Sequence, residues 1–278
     1  MVLIADSGST KCDWQVYNKM GDMVFQKSTN GINPMIHSDD DILLVLQELK
    51  NDILIEISQI EFYCAGGKNE ESQQRLTRVF HQLFKRAQVR IEDDLGMAVK
   101  CTKGVPGVVC ILGTGSNSCF FDGTKIHKRL PDLGYQVMDL GSGNYFGREL
   151  LRSYAYGYMP HDLMEKFGNR YDLESKVILQ ELYRGENPSS YLANFARFMI
   201  ENHEHPFHLA MIEKGMEKVF DYVLRPYQYE IKRHPLYFIG SIAFHLQDHL
   251  REKAKVQGYE AIHFIDKPIK YLSVASQM

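Results

Sequence analysis

Two short stretches of this chain repeat one device 107 residues apart. The first is Ala5-Asp6-Ser7-Gly8-Ser9-Thr10-Lys11-Cys12, and the second is Leu112-Gly113-Thr114-Gly115-Ser116-Asn117-Ser118-Cys119. Read side by side, Ser7-Gly8-Ser9 aligns with Thr114-Gly115-Ser116, and Cys12 with Cys119. Each stretch follows an apolar run and precedes a strand-like segment closed by a turn, at Met20-Gly21-Asp22 and Asp122-Gly123. A glycine between hydroxyl residues at a hairpin tip lets backbone N–H groups approach an anion closely. Two such tips facing each other would grip a polyphosphate from both sides. The repeat therefore predicts a nucleotide-using enzyme built from two related halves.

Composition removes several alternatives. The net charge of −3 over 278 residues gives no basic footprint for nucleic acid. No run reaches the roughly 18 apolar residues that a membrane span requires. The chain enters an apolar strand at Val2, with no charged region ahead of it to read as a signal peptide. The five cysteines (Cys12, Cys64, Cys101, Cys110, Cys119) form no CxxC pair and sit in or beside strand-like runs. That usage predicts buried thiols in a reducing cytoplasm, not a zinc site or a disulfide scaffold.

Along the chain, strand and helix patterns alternate. Val2–Ala5, Trp14–Tyr17 and Met23–Gln26 read as strands joined by tight turns. Asp39–Asp52 and Glu70–Arg86 carry apolar residues at helical spacing, with the short strand Ile60–Cys64 between them. Val89–Ile91 is strand-like and stops at Glu92-Asp93-Asp94. The hairpin pattern restarts at Val108, and residues from about 145 to 229 are helical in pattern. Leu236–Ile239 and Ile262–Ile265 supply the last strands, with one helix from Ile242 to about Lys255 between them. This order predicts a duplicated α/β architecture. One domain is expected over about residues 1–101, and a second over 102–278 carrying the helical insertion.

On these residues the chain resembles the ribonuclease-H-like, or actin-like, ATPase superfamily of sugar kinases, actin and heat-shock ATPases. Within it the chain is most similar to the N-acetylglucosamine kinase family, which shares its pattern with the activator ATPases of certain dehydratases and reductases. The order and spacing from Asp6 through Gly113–Asn117 to Gly240-Ser241 carry the resemblance, which extends to about Ile269. It implies ATP and Mg²⁺ as cofactors. Asp6 would hold the metal, through water, as suits a hard cation. Ser7, Gly8, Ser9, Thr10 and Lys11 would form the first phosphate loop, and Gly113, Thr114, Gly115, Ser116 and Asn117 the second. Gly240 and Ser241 would receive the adenosine.

The resemblance also implies the second substrate. Asp93-Asp94-Leu95-Gly96-Met97-Ala98 matches the segment with the catalytic aspartate, which takes the acceptor hydroxyl's proton during phosphoryl transfer. We read Asp93 as the base, also touching substrate, and Asp94 as the helix cap. The alternative is that both only cap a helix N-terminus. Asn33, in Gly31-Ile32-Asn33-Pro34, matches an asparagine that binds the amino sugar, and serves equally well as a turn residue before proline. Asp139, in Asp139-Leu140-Gly141-Ser142-Gly143, matches the aspartate that bonds sugar hydroxyls. Here Leu140 stands where the family carries glutamate, and Met138 where it carries glycine.

The implied activity is phosphorylation of an amino sugar, N-acetylglucosamine to its 6-phosphate, by a cytoplasmic homodimer that closes around its substrates and contacts its twin through the helical insertion. The alternatives are an activator ATPase, which needs exposed cysteines for a shared iron–sulfur cluster, and a degenerate nucleotide-binding sensor. His203, His205 and His208 read as a solvated helix–helix junction, Asp39-Asp40-Asp41 as a helix-start charge cluster, and Trp14 as core. Tyr154, Tyr156 and Tyr158 read as packing or dimer contacts.

Overall fold

The computed structural model describes residues 1–8 and 11–272. The chain divides into two compact units, residues 1–103 with the C-terminal segment from Lys267, and Gly104–Asp266.

The first unit is built on a five-stranded sheet. Its strands are β1 (Val2–Ser7), β2 (Lys11–Tyr17), β3 (Met23–Asn30), β4 (Gln59–Cys64) and β5 (Gln88–Glu92), in the order β3-β2-β1-β4-β5. Helices α1 (Asp39–Asp52), α2 (Glu70–Leu83) and α3 (Asp94–Lys100) connect them. β1 pairs antiparallel with β2 and parallel with β4, and β4 runs parallel with β5. Successive strand residues face opposite sides of a sheet. β1 is buried on both faces, so Leu3, Ile4 and Ala5 read as one continuous apolar run. Leu3 and Ala5 join Trp14, Phe62, Leu76 and Phe80 in the main core. Ile4 faces the other side, with Tyr17, Tyr63, Met97, Ile269 and Leu272. Trp14 is fully buried 5.7 Å from the Phe62 ring, and its indole N–H donates to Thr29 Oγ1 at 2.8 Å. Helix α1 opens with a capping box between Ser38 and Asp41, and the acids Asp39–Asp41 favour its positive end.

The second unit repeats the sheet. β6 (Gly107–Leu112), β7 (Ser116–Phe121), β8 (Ile126–His127), β9 (Leu236–Ile239) and β10 (Ile262–Ile265) lie in the order β10-β9-β6-β7-β8. Strand for strand this is the topology of the first sheet. Between β8 and β9 come α4 (Gly143–Ala155), α5 (His161–Arg170), α6 (Ser175–Arg184), α7 (Pro188–Glu201), α8 (Pro206–Lys218) and the short α9 (Gln228–Ile231), with a π-helical segment at Val219–Leu224. Helices α4 and α7 pack backbone to backbone. A Cβ on Gly147 would lie 1.7 Å from the Leu192 carbonyl oxygen, so only glycine allows that approach. The helix expected from Ile242 is broken at Leu246 into α10 (Ser241–His245) and α11 (Gln247–Val256), because Leu246 leaves helical geometry (φ −103, ψ 21).

Register corrects the residue alignment of the two hairpins. Ser7 pairs with Cys12, whereas Leu112 pairs with Ser116. Ser7 thus corresponds to Leu112 and Gly8 to Gly113, and the second loop is one residue shorter. Cys119 pairs with Val109, well down the ladder, so it is not the counterpart of Cys12. The histidine segment is also less wet than expected. His205 caps α8, but His208 is fully buried, and burial lowers its pKa.

Candidate functional site

In the first unit, β1, β3, β4 and β5 all run the same way, and the expected site residues collect at their carboxyl ends. Ligands of α/β sheets bind at that edge. Ser7 ends β1, Cys64 ends β4, Asp93 and Asp94 follow β5, and Asn33 follows β3. Ser9 and Thr10 lie outside the described residues.

Ser7 differs from its expected role. It is buried, and its hydroxyl accepts the Ile32 N–H at 2.7 Å and donates to the Ile32 carbonyl at 3.0 Å. The side chain ties the β1 end to the Asn33 loop and is not presented to a phosphate. The Gly8 N–H closes its own loop onto the Lys11 carbonyl at 2.9 Å, and Lys11 pairs with Asp13 at 2.7 Å. Asn33 acts in its turn, its Oδ1 accepting from the Met35 N–H at 2.9 Å.

Asp6 is half-buried on β1, opposite Asp13. Burial, with Asp13 and Asp94 nearby, raises its pKa from 3.8 to about 7, against a smaller opposing pull from Lys11. A divalent cation beside this carboxylate would reverse that balance, so the donor suits a hard metal held through water. Among the described residues no group of three or more His, Cys, Asp or Glu side chains forms a metal cage.

The expected cap is displaced by one residue: Asp93, read as the base, is the residue that caps α3, its Oδ1 accepting the Gly96 N–H at 2.7 Å. Asp94 is the first helical residue, and it is Asp94 that acts electrostatically on Asp6. Both carboxylates accept α3 amides, Asp94 Oδ1 taking the Leu95 N–H at 3.0 Å.

In the second unit, the loop Gly113–Gly115 is pinned from below by helix α4. The Gly143 N–H donates to the Gly113 carbonyl at 2.8 Å, and the Asn144 N–H to the Thr114 carbonyl at 3.0 Å. The Gly113 N–H closes onto the Gly115 carbonyl at 2.9 Å, the same closure as at Gly8. Gly240 lies against this loop with φ +107, where a Cβ would sit 2.7 Å from the Leu112 carbonyl oxygen. The structure therefore brings the second loop and the Gly240-Ser241 turn together, with Ser241 exposed at the start of α10.

Asp139 joins them. Its backbone is in the left-handed region (φ +61), which aspartate tolerates better than most residues. Its Oδ1 accepts the Ser116 N–H at 2.9 Å and its Oδ2 accepts from Asn144 Nδ2 at 2.8 Å. Burial raises its pKa, against those two hydrogen bonds. The Ser116 amide, expected at phosphate oxygens, is thus bonded to Asp139 in this structure. Asn144 was not legible as a site residue. It is fully buried, also donates to Ser189 Oγ on α7 at 3.1 Å, and accepts from Ser142 Oγ at 3.1 Å. The one signal in the sequence was a polar residue two positions after the Ser142 cap, on a helix whose following residues are apolar.

No protein-family model matches this chain, and no curated protein matches it. Solved structures do. A candidate N-acetylglucosamine kinase from Porphyromonas gingivalis is 31% identical, over 100% of this chain and 98% of that one, with a TM-score of 0.84. A candidate N-acetylglucosamine kinase from Chromobacterium violaceum is 15% identical over 97% of this chain and 96% of its own, with a TM-score of 0.72. A ROK family glucokinase from Streptomyces griseus, in complex with glucose and AMPPNP, is 12% identical over 95% and 93%, with a TM-score of 0.55. The last two show likeness of fold.

Proposed function

This chain belongs to the N-acetylglucosamine kinase family of the actin-like ATPases, with their duplicated ribonuclease-H-like fold, and on that premise we propose that it transfers the γ-phosphoryl group of ATP to a hydroxyl of an amino sugar. N-acetylglucosamine, giving the 6-phosphate, is the acceptor we propose. The observation that carries the reading is the placement, in each half, of acidic residues and a glycine loop at the carboxyl ends of parallel strands. Phosphoryl transfer needs little covalent help from a protein. It needs an aligned acceptor, a carboxylate for its proton, and charge stabilisation around the phosphates.

Asp94 takes the role of base, since Asp93 caps α3. Asp139 reads the acceptor's hydroxyls, and Asn144 sets its orientation. The two glycine loops, after β1 and after β6, lie towards the phosphates, with the Gly8, Gly113 and Ser116 amides held inside the fold and shaping the loops, and the turn at Gly240-Ser241 receives the adenosine, where the missing side chain leaves room. Asp6 would hold Mg²⁺ through water; the ion, when bound, neutralises charge on the phosphate oxygens. Acceptor binding that draws the two units together would exclude water and suppress hydrolysis. The activator-ATPase alternative needs exposed cysteines, and all five are buried.

The test is ADP release coupled to an optical readout, with ATP and a panel of amino sugars and plain hexoses, the product located by NMR. Release that depends on an amino sugar, with phosphate on O6, supports the proposal. Release indifferent to every sugar overturns it.

A further inference from the structure

The turn at 33–37 follows β3, and its tip stands in water. Met35 and Ile36 are 67% and 42% exposed, so apolar burial does not hold them. The turn carries hydrogen bonds of its own. The Asn33 carbonyl accepts the Ile36 and His37 N–H groups at 3.1 and 2.9 Å, and the Asn33 N–H donates to His37 Nδ1 at 3.0 Å.

Helix α2 grips the turn from outside. Asn69, Ser72 and Arg75 recur at the three-residue spacing of one helix face. Asn69 and Ser72 make only weak contacts, each 3.9 Å from Met35 Sδ. Arg75 does more. Its Nη1 donates to the Pro34 carbonyl at 2.5 Å and its Nη2 to the His37 carbonyl at 2.7 Å. Its Nε donates at 2.5 Å to Oδ1 of Asp39, the first residue of α1. One planar guanidinium thus bridges both ends of the turn and the helix that follows it. Holding those two carbonyls keeps the turn ordered against its backbone entropy. Lysine, a point charge on a flexible stem, cannot reproduce that fork.

The turn also borders the place where an acceptor must lie. A Cβ on Gly66 would sit 2.9 Å from Asn33 Oδ1, and one on Gly67 would sit 2.7 Å from the Glu92 carbonyl oxygen. Two glycines therefore separate Asn33 from the strand end that leads into Asp93-Asp94. An acceptor hydroxyl within proton-transfer reach of Asp94 puts the acceptor over this edge.

We propose that Arg75 is a positioning residue for acceptor binding: it touches no substrate, and it fixes the Asn33 turn as one wall of the acceptor's site. The inference rests on the kinase reading, which supplies the acceptor. It adds a residue whose effect should fall on one substrate only.

The experiment measures kcat and KM for N-acetylglucosamine and for ATP in wild type, Arg75→Lys, Arg75→Met and Asp39→Asn. Arg75→Lys keeps the charge opposite Asp39 and loses the fork, whereas Asp39→Asn loses the ion pair and keeps both carbonyl contacts. Both Arg75 variants should lower kcat/KM for the sugar by ~10–100-fold, up to the loss that a displacement of about 1 Å causes. The loss should lie in the sugar KM, with kcat and the ATP KM held. Asp39→Asn should leave all three constants near wild type. Hydrogen exchange gives a readout besides turnover. The Ile36 and His37 amides should exchange faster in both Arg75 variants, while those of Leu46 and Phe80 in the core stay protected. Sugar and ATP constants that change alike, or full activity in Arg75→Lys, overturn the proposal and leave the kinase reading standing. Faster exchange with an unchanged sugar KM does the same. Absence of sugar-dependent turnover in the wild type overturns the kinase reading and this proposal with it.

Discussion

Replacing Asp6 by asparagine should stabilise the ligand-free protein at alkaline pH. Burial and the neighbouring Asp13 and Asp94 carry the Asp6 pKa from 3.8 to about 7. An acid whose folded pKa lies above its unfolded value holds its proton more tightly in the native state. Its contribution to stability is therefore complete below about pH 4 and is lost as pH rises through about 7. The gap corresponds to about 4 kcal/mol at 1.36 kcal/mol per pH unit. Of this, about 2.7 kcal/mol is titrated between pH 5 and pH 8, and for a half-buried carboxylate roughly half survives solvent screening. Asparagine keeps the size and never ionises, so the variant should lead slightly at pH 5 and by about 1.3 kcal/mol more at pH 8, a further Tm gain of roughly 3–5 °C for a chain of this length. Scanning calorimetry without metal or nucleotide, at both pH values, measures it. A Tm difference that does not change between pH 5 and pH 8 would refute the burial argument. The gain in stability should come with loss of nucleotide turnover, because the carboxylate placed to hold the metal is gone.

Three further outcomes follow from the same geometry. Asp94→Asn should lower kcat by about 10²–10⁴ with nucleotide affinity retained, while Asp93→Ala should cost about 1 kcal/mol of stability through the lost α3 cap; the reverse pattern in turnover and melting would return the base to Asp93. Asn144→Ala should destabilise by about 2 kcal/mol, since it strands buried partners on Asp139, Ser142 and Ser189, and should raise KM for the acceptor more than for ATP; equal changes in both would leave Asn144 a purely structural residue. Small-angle scattering should show a more compact particle with nucleotide analogue and acceptor together than with either alone, and a dimer mass; an unchanged radius of gyration or a monomer mass at high concentration would remove closure or dimerisation respectively.

The duplicated α/β plan was legible because it is written in local periods. Alternating apolar residues in β2, the continuous run in β1 and the turn at Asp122-Gly123 each depend on neighbours a few residues away. The same holds for helix starts: the acidic run Asp39-Asp40-Asp41 announces α1, whose cap is Ser38. That Asp93-Asp94 and the Gly113 loop follow strand ends was legible from their order along the chain. What each side chain does was not. Ser7 bonds Ile32 across 25 residues, Asp139 meets Ser116 across 23, and Asn144 meets Ser189 across 45. No local period encodes those pairings. The hairpin register escaped for a related reason. The loops contain similar residues, but the pairing is set by which strand faces are buried, and that made Ser7 the counterpart of Leu112. Asp93 and Asp94 differ by one residue in sequence, and only the point at which α3 starts after β5 makes Asp93 the cap. The sequence by itself determined which elements form and in what order; the tertiary structure decided the partners, because a hydrogen bond is satisfied by whatever the fold brings within reach.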